Sequence, residues 1–268
     1  MPFVVASDGV RLFYEAVGSG PPLVLQTGGA GDGTMWQDAG YVEALASHRR
    51  CLLFDHRGHG RSDQPPLVAS HTVARYAADV VALLDHEGIV RAAFWGYSQG
   101  AEIGLELAAQ HPHRLTALIT TGVMGNPDRE VDAAETREAI DGLRERGWDA
   151  IVEPDTLTGV PDWFRRQVQT TNPQMLSLWF EAYGGWNPWA RLPEIAAPIL
   201  MFVGELEDPD DWNSRAAQLA VNARVVRLAG LDHLQAFSRS DLVLEAATEF
   251  LSGVRTQRRN TDPTAGVR

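Results

Sequence analysis

The chain has 268 residues, of which 44% are hydrophobic and 22% charged, and its formal net charge at pH 7 is −12. These values predict one large globular domain, or one domain with an inserted subdomain. The acidic balance disfavours nucleic acid and anionic membranes as partners, since both attract basic surfaces. No apolar run approaches the roughly 18 residues of a membrane span, and the N-terminus lacks the pattern of a secretory signal.

The cysteine content points to a reducing compartment. Cys51 is the single cysteine, so no disulfide can form within the chain, and its apolar neighbours favour a packed thiol over a reactive one. We therefore expect a cytoplasmic protein, a monomer or homodimer, that binds a small molecule but no nucleic acid, membrane, metal or cofactor.

The order of apolar runs and helical patterns predicts an α/β protein. Residues 3–6 and 11–17 flank the turn Ser7-Asp8-Gly9 and predict an antiparallel hairpin. Later runs are apolar at nearly every position, which is typical of strands covered on both faces of a mostly parallel sheet. They are residues 23–26, 51–54, 92–95, 115–120, 199–203 and 223–228. Helices are predicted at residues 40–47, 72–87, 99–110, 212–220 and 240–251.

A long insertion, residues 125–192, separates the strand pattern that ends near Thr121 from the one that begins at Ile199. Its first part is charged and helical, and its second part is rich in Trp and Phe. We predict a helical cap after the sixth strand, over a core formed by residues 1–124 and 193–255. Residues 256–268 have little to bury and are expected to be disordered. Trp179 and Trp186 of the insertion, together with Trp36, are the candidates for substrate contact.

The pentapeptide Gly96-Tyr97-Ser98-Gln99-Gly100 is the most informative motif of the chain. It lies between a predicted strand and a predicted helix, and it reads G-x-S-x-G. Glycine on either side removes the Cβ atoms that would collide in a sharp strand-to-helix turn. The pattern predicts an exposed, nucleophilic Ser98; the alternative is a loop serine in a glycine-rich turn.

Two further motifs follow early strands. Residues 27–33, TGGAGDG, could hold an anion through backbone N–H groups, but the Gly-Lys-Ser/Thr of a phosphate loop and the spacing of a dinucleotide turn are absent. We predict an oxyanion hole formed by the N–H groups of Gly29 and Gln99. Residues 55–63, DHRGHGRSD, contain two histidines without a carboxylate at ligand spacing, which favours a hydrogen-bonded turn over a metal site.

Together these three motifs resemble the α/β-hydrolase fold family, and the resemblance covers nearly the whole chain up to about residue 251. It implies an acid after a late strand and a histidine after the last strand. Asp208 fits the acid, with Glu207 as its rival, and His233 fits the histidine. The histidine that commonly precedes the oxyanion glycine is Thr27 here, so the hydrogen bonding of that loop is expected to differ.

The resemblance implies a serine hydrolase with the triad Ser98, His233 and Asp208. Such a site would cleave an ester, thioester or lactone of a small, largely apolar substrate through an acyl-enzyme. Carbon–carbon bond hydrolysis and cofactor-free perhydrolysis can use the same residues. A non-catalytic receptor for a small ligand is the alternative from another class, because one scaffold serves many functions.

Overall fold

The computed structural model describes residues 2–122, 125, 133–152, 157–183 and 185–261. Its sheet has eight strands: β1 (Phe3–Val5), β2 (Arg11–Gly18), β3 (Pro22–Gln26), β4 (Arg50–Phe54), β5 (Ala92–Tyr97), β6 (Leu115–Thr121), β7 (Ile199–Gly204) and β8 (Ala223–Leu228). The order across the sheet is β1-β2-β4-β3-β5-β6-β7-β8.

The pairing of the strands agrees with the predicted mostly parallel sheet. β1 and β2 form the predicted antiparallel hairpin, and β2 also pairs antiparallel with β4. All other neighbours are parallel. One detail of the prediction is wrong: β8 is an edge strand in which only Leu228 is buried, whereas we expected a strand covered on both faces.

The helices lie where the sequence predicts them, with two short additions. They are α1 (Met35–Asp38), α2 (Tyr41–Leu45), α3 (Val73–His86), α4 (Gln99–Gln110), α5 (Ala133–Arg146), α6 (Asp162–Thr170), α7 (Pro173–Ala182), α8 (Pro188–Arg191), α9 (Trp212–Leu219), α10 (His233–Ser238) and α11 (Ser240–Thr261). The sequence did not predict α1 and α10. Helix α11 continues through Thr261, into the stretch expected to be disordered, and residues 262–268 lie outside the described part of the chain. Among the described helices, none combines the length and apolarity needed to cross a bilayer.

Alternate residues of the central strands belong to two separate hydrophobic clusters, one on each face of the sheet. Phe94 of β5 belongs to the cluster that includes Leu83 of α3 and Leu105 of α4. Its neighbour Trp95 belongs to the opposite cluster, with Phe237 of α10. Because successive side chains of a strand point to opposite faces, a strand with both faces buried must be apolar throughout, which is the pattern that the sequence displays.

Helices α5, α6, α7 and α8 lie between β6 and β7, in the stretch where the sequence predicts a helical insertion. We call these four the cap helices. Leu176 and Trp179 of α7 and Phe164 of α6 line a cavity that also contains residues from the carboxyl ends of β5 and β6. The cap helices therefore contribute directly to the environment of the candidate site.

Candidate active site

Ser98 occupies a strained turn between β5 and α4. Its φ and ψ are 53° and −121°, a conformation that non-glycine residues rarely adopt. A Cβ added at Gly96 would lie 2.2 Å from the carbonyl oxygen of Gly100, and one added at Gly100 would lie 2.4 Å from that of Gln26. Only glycine fits at both positions, so the predicted requirement for glycine on either side of Ser98 has a direct steric cause. Backbone strain of this kind costs about 1–3 kcal/mol and is concentrated at functional sites.

Ser98 lines a cavity of about 500 Å³ under the cap helices. Most of the lining is aromatic or aliphatic, and the polar side chains are few. This combination is typical of sites for small organic ligands, where apolar walls supply affinity and a few polar groups fix orientation. The titratable side chains in the lining are Glu102, Glu207 and His233, besides the phenol of Tyr97.

His233 is held by a carboxylate, by an aromatic ring and by its place in α10. Its Nδ1 lies 2.5 Å from Oε2 of Glu207. The ring of Tyr97 stacks on the imidazole with centroids 5.0 Å apart, and its hydroxyl donates to the carbonyl oxygen of His233. Asp232 caps α10 in a capping box with Gln235, which fixes the first residue of the helix. Because Nδ1 contacts Glu207, Nε2 is the ring nitrogen directed away from the carboxylate.

Gly122 makes room for the contact between His233 and Glu207. It follows β6 with φ +62°, and a Cβ there would lie 2.6 Å from Nδ1 of His233 and 3.0 Å from Oε2 of Glu207. Gly122 lies outside the motifs that the sequence displays. The two residues follow different strands, β6 and β8, and they become neighbours only when the sheet brings the carboxyl ends of those strands to one edge.

The expected pairing of Asp208 with His233 is wrong, because the Asp208 carboxylate points away from the cavity. It accepts hydrogen bonds from the backbone N–H groups of Trp212 (2.6 Å) and Asn213 (3.1 Å) at the start of α9. It also forms an ion pair with Arg227. Its neighbour Glu207, the rival in the sequence analysis, is the acid that contacts His233. Asp208 therefore anchors α9, where a carboxylate satisfies N–H groups that have no partner within the helix.

Gly29 and Gln99, the predicted oxyanion-hole residues, line the same cavity as Ser98. The carbonyl oxygen of Gly29 lies 2.9 Å from Nε2 of His59. Burial lowers the pKa of His59. Because a carbonyl oxygen can only accept, Nε2–H is the donor to Gly29. This bond tethers the glycine-rich loop from the turn after β4. It is a hydrogen bond that the family resemblance did not predict, in a loop where Thr27 replaces the usual histidine.

The segment after β4 is the hydrogen-bonded turn that the sequence predicts. Asp55 accepts from the backbone N–H groups of Gly33 and Arg61, and Ser62 donates to the carbonyl oxygen of Asp55. Burial raises the pKa of Asp55 to about 6. Within the described residues no group of three or more His, Cys, Asp or Glu side chains could hold a metal ion. The turn thus braces the glycine-rich loop.

Of the three tryptophans proposed for substrate contact, only Trp179 lines the cavity. Trp36 is fully buried in the core, edge-on to Trp95 and Phe237, so its assignment to the substrate site is wrong. Trp186 is also misassigned. It does not line the cavity, and its Nε1–H donates to Glu106, 2.7 Å away. Aromatic composition could not separate these roles, because all three residues pack against other rings.

Among the described hydrogen bonds there is none between Oγ of Ser98 and the ring of His233, although both line one cavity. Such bonds are often long before substrate binds. A serine, a histidine and a carboxylate around an apolar cavity are the groups that nucleophilic acyl transfer uses.

The sequence model of the α/β-hydrolase fold matches residues 21–223, which is most of the chain. The chain belongs to the α/β-hydrolase fold family. This confirms the resemblance and the fold class drawn from the motifs. The match ends before His233, so the geometry of the histidine rests on the structure alone.

Relatives of this α/β-hydrolase include two proteins named "Putative carbamate hydrolase RutD". One, from Caulobacter vibrioides, is 33% identical over 264 residues, covering 90% of this chain and 96% of its own length. The other, from Caulobacter sp. strain K31, is 38% identical over 164 residues, and the match covers 59% of each protein.

Two solved structures have the same fold over nearly their whole length. An enol-lactonase from Burkholderia xenovorans LB400 is 25% identical, with a TM-score of 0.80 and coverage of 94% of this chain and 100% of that one. A thermophilic esterase from Thermogutta terrifontis is 24% identical, with a TM-score of 0.82 and coverage of 94% and 98%. Family membership and the similarity to these named hydrolases support a hydrolase of this fold.

Proposed function

We propose that the protein cleaves an ester, thioester or lactone of a small, largely apolar substrate through a covalent acyl-enzyme. The observation that carries the proposal is the strained Ser98, which shares one apolar cavity of about 500 Å³ with the hydrogen-bonded pair of His233 and Glu207. A receptor without catalysis would have no use for a strained serine beside such a pair, because the strain must be offset elsewhere in the fold.

The acylation step uses each of these groups. His233 takes the proton of the Ser98 hydroxyl as Oγ attacks the carbonyl carbon, and Glu207 stabilises the resulting imidazolium and keeps its orientation. The negative charge on the carbonyl oxygen is received by the N–H groups of Gly29 and Gln99, each worth about 3–4 kcal/mol in sites of this type. His233 then returns the proton to the leaving oxygen as the C–O bond breaks.

Deacylation follows the same order of steps, with water as the nucleophile. His233 removes a proton from water, the hydroxide attacks the acyl carbon, and the Ser98 oxygen leaves with that proton. For a lactone, the leaving alcohol stays attached to the acyl group and departs with the product. The apolar walls favour substrates whose acyl or alcohol part is a hydrocarbon chain or ring.

Reaction with a fluorophosphonate, followed by peptide mass spectrometry, tests the proposal. We expect the adduct on the peptide that contains Ser98, and we expect Ser98→Ala to abolish both labelling and the hydrolysis of activated esters. Loss of activity with the label on another residue would overturn the assignment of the nucleophile. Absence of both labelling and ester turnover in the folded wild-type protein would instead favour the receptor alternative.

A second acyl chemistry, cleavage of carbamates, is supported by the full-length relative named as a carbamate hydrolase. A carbamate carbonyl is attacked in the same way, but nitrogen donation makes it less reactive than an ester carbonyl. Comparison of an aryl carbamate with the matching aryl ester would separate the two: faster steady-state turnover of the carbamate would favour this function, and slow, stoichiometric inactivation would exclude it.

A further inference from the structure

Helix α4 carries two glutamates in line with Ser98, and the two have different surroundings. Ser98, Glu102 and Glu106 follow one another at intervals of four residues, so they lie on one face of the helix, toward the cap helices. Glu106 is fully buried and paired: it accepts from Nε1 of Trp186 at 2.7 Å and from Nε of Arg191 at 2.9 Å. Glu102 lies between Glu106 and Ser98 and lines the cavity itself.

The carboxyl group of Glu102 has one protein partner among the described residues, and that partner is uncharged. The hydroxyl of Tyr183 donates to Oε1 at 3.0 Å, and no other hydrogen bond to this carboxyl group is found among the described residues. Burial raises the pKa of Glu102 to about 8, against the smaller effect of the bond from Tyr183, and no charged neighbour contributes. An ionised carboxyl group at a cavity wall without a counter-ion lowers folding stability, because it loses hydration without gaining a charged partner. Such groups occur preferentially at functional sites.

The rest of the cavity favours a positive charge. Its described lining contains no lysine or arginine, and its carboxyl groups are those of Glu102 and Glu207. Trp148, Trp179 and Phe180 also line it, and the faces of such rings attract cations. An anionic substrate would meet carboxyl groups and no cation. An ammonium group would meet an acceptor and aromatic faces in a site of low polarity, where a charge pair is stronger than in water.

We propose that Glu102 determines specificity by binding an ammonium group of the substrate, about one helical turn from the carbonyl that Ser98 attacks. Four residues of helix span about 6 Å, which places the amine some five or six bonds from the scissile carbonyl carbon. On binding, the carboxyl proton of Glu102 passes to solvent and the carboxylate accepts an N–H from the ammonium group, while Tyr183 keeps its bond to the other oxygen. The inference rests on the proposed function and narrows its substrate class to amino-substituted esters or lactones.

Three p-nitrophenyl esters of nearly equal length test the proposal: ε-aminocaproyl (cationic), heptanoyl (neutral) and adipoyl (anionic). kcat/KM is measured for each with the wild-type protein and with Glu102→Gln. The matched control is Glu106→Gln, which removes a buried acid from the same face of the same helix but not from the cavity wall. For the wild-type protein we expect kcat/KM to be highest for the cationic ester, lower for the neutral ester and lowest for the anionic ester.

Substitution Glu102→Gln should lower the ratio of cationic to neutral turnover by about 10-fold or more, as the loss of a hydrogen bond to a charged group does. Glu106→Gln should leave that ratio within about 2-fold, because the Glu106 carboxyl group is paired with Trp186 and Arg191 and does not line the cavity. Equal ratios in the wild-type protein and Glu102→Gln would overturn the inference. So would a wild-type preference for the adipoyl ester.

A binding measurement separates this inference from the proposed function. Hexylammonium should compete with the heptanoyl ester more strongly than hexanol does, and Glu102→Gln should abolish the difference. If the heptanoyl ester is hydrolysed in a Ser98-dependent manner but hexylammonium and hexanol inhibit equally, only the role of Glu102 fails. If no ester is turned over and Ser98 is not labelled, the proposed function fails, and calorimetric titration with hexylammonium and hexanol then tests the role of Glu102 without turnover.

Discussion

Two adjacent carboxylates, Glu207 and Asp208, have different partners in the structure. Glu207 accepts from the backbone N–H of Gly204 at 2.7 Å through Oε1 and contacts His233 through Oε2. Asp208 is turned toward the first turn of α9 and toward Arg227. The longer glutamate side chain reaches the imidazole from a loop position one residue before the aspartate. The contact with the histidine therefore depends on side-chain length as well as on the presence of a carboxyl group.

The isosteric changes Glu207→Gln and Asp208→Asn should separate the two roles. Glu207→Gln should lower kcat by about 10⁴, because the loss of the orienting carboxylate leaves the histidine in the wrong tautomer. Asp208→Asn should leave kcat within about 3-fold and lower the free energy of unfolding by about 1–3 kcal/mol, since it weakens hydrogen bonds that hold α9. Kinetics on an activated ester and chemical denaturation measure the two effects. The opposite ranking of kcat would return the catalytic role to Asp208.

Gly122→Ala tests the close approach of β6 to the His233–Glu207 pair. Its Cβ would lie 2.6 Å from Nδ1 of His233, so we expect kcat to fall by about 10-fold or more as the pair is displaced. Gly88→Ala is the matched control, because Gly88 has nearly the same φ, +63°, with nothing within 4 Å of the added Cβ.

Both alanines should destabilise the protein by about 1–2 kcal/mol through the left-handed backbone, but only Gly122→Ala should affect turnover. Thermal denaturation and ester kinetics on the two variants provide the comparison. Similar kcat values for both would mean that Gly122 has no part in positioning the histidine.

At the scale of elements, α7 couples the cap helices to the cavity. Asn172 caps its start by accepting from the backbone N–H of Gln174, and Pro173 fits its first turn. The face that carries Leu176 and Trp179 is buried, and both residues line the cavity. Trp179 also packs edge-on against Tyr76 of α3, with ring centroids 4.8 Å apart. Helix α7 thereby forms part of the cavity wall.

Shortening Trp179 should change the preferred acyl length. Each buried methylene contributes about 0.8 kcal/mol, so kcat/KM should rise about 4-fold per carbon until the cavity is full. Trp179→Ala should move the optimum to longer chains, and the smaller change Trp179→Phe keeps the test open if the alanine variant fails to fold. Trp186→Phe is the control, because Trp186 packs beside Tyr183 outside the cavity lining. An unchanged length profile in both Trp179 variants would show that this residue only packs.

The pH dependence of folding stability reports on Glu102 without any substrate. Burial raises its pKa in the folded protein from 4.5 to about 8. Its stabilising contribution is therefore complete below about pH 4.5 and is lost as pH rises toward about pH 8, where the folded protein also releases the proton. Groups such as Asp55, whose pKa is also raised, contribute equally to a variant and cancel in the difference.

We expect the free energy of unfolding of the wild-type protein, minus that of Glu102→Gln, to decrease from about pH 5 to about pH 8 and then to level. Denaturant titrations at a series of pH values measure this difference. A difference that is constant or increases with pH would mean that Glu102 is ionised in the free protein.

Over the whole molecule, the sequence determined the fold class and most of its elements. Strands with both faces buried must be apolar at every position, so the central runs were visible without coordinates. The G-x-S-x-G motif predicted the turn at Ser98 equally well, because a turn that excludes Cβ atoms on both sides of a serine tolerates only glycine there. The family match confirmed the fold that these patterns imply, while the roles of Ser98, His233, Gly29 and Gln99 in catalysis stay predictions.

Only the tertiary structure decided which neighbouring residues face the cavity. Glu207 and Asp208, or Trp179 and Trp186, are equivalent by composition and nearly equivalent by position, and they were misassigned in part for that reason. Their roles depend on the direction in which each side chain points from a loop or a helix. The spacing of hydrophobic residues along the sequence does not determine that direction. The close approach of Gly122 to His233, and the hydrogen bond of His59 to Gly29, join segments far apart in the chain. Sequence periodicity reports local burial, whereas a site at the ends of parallel strands is created by non-local packing.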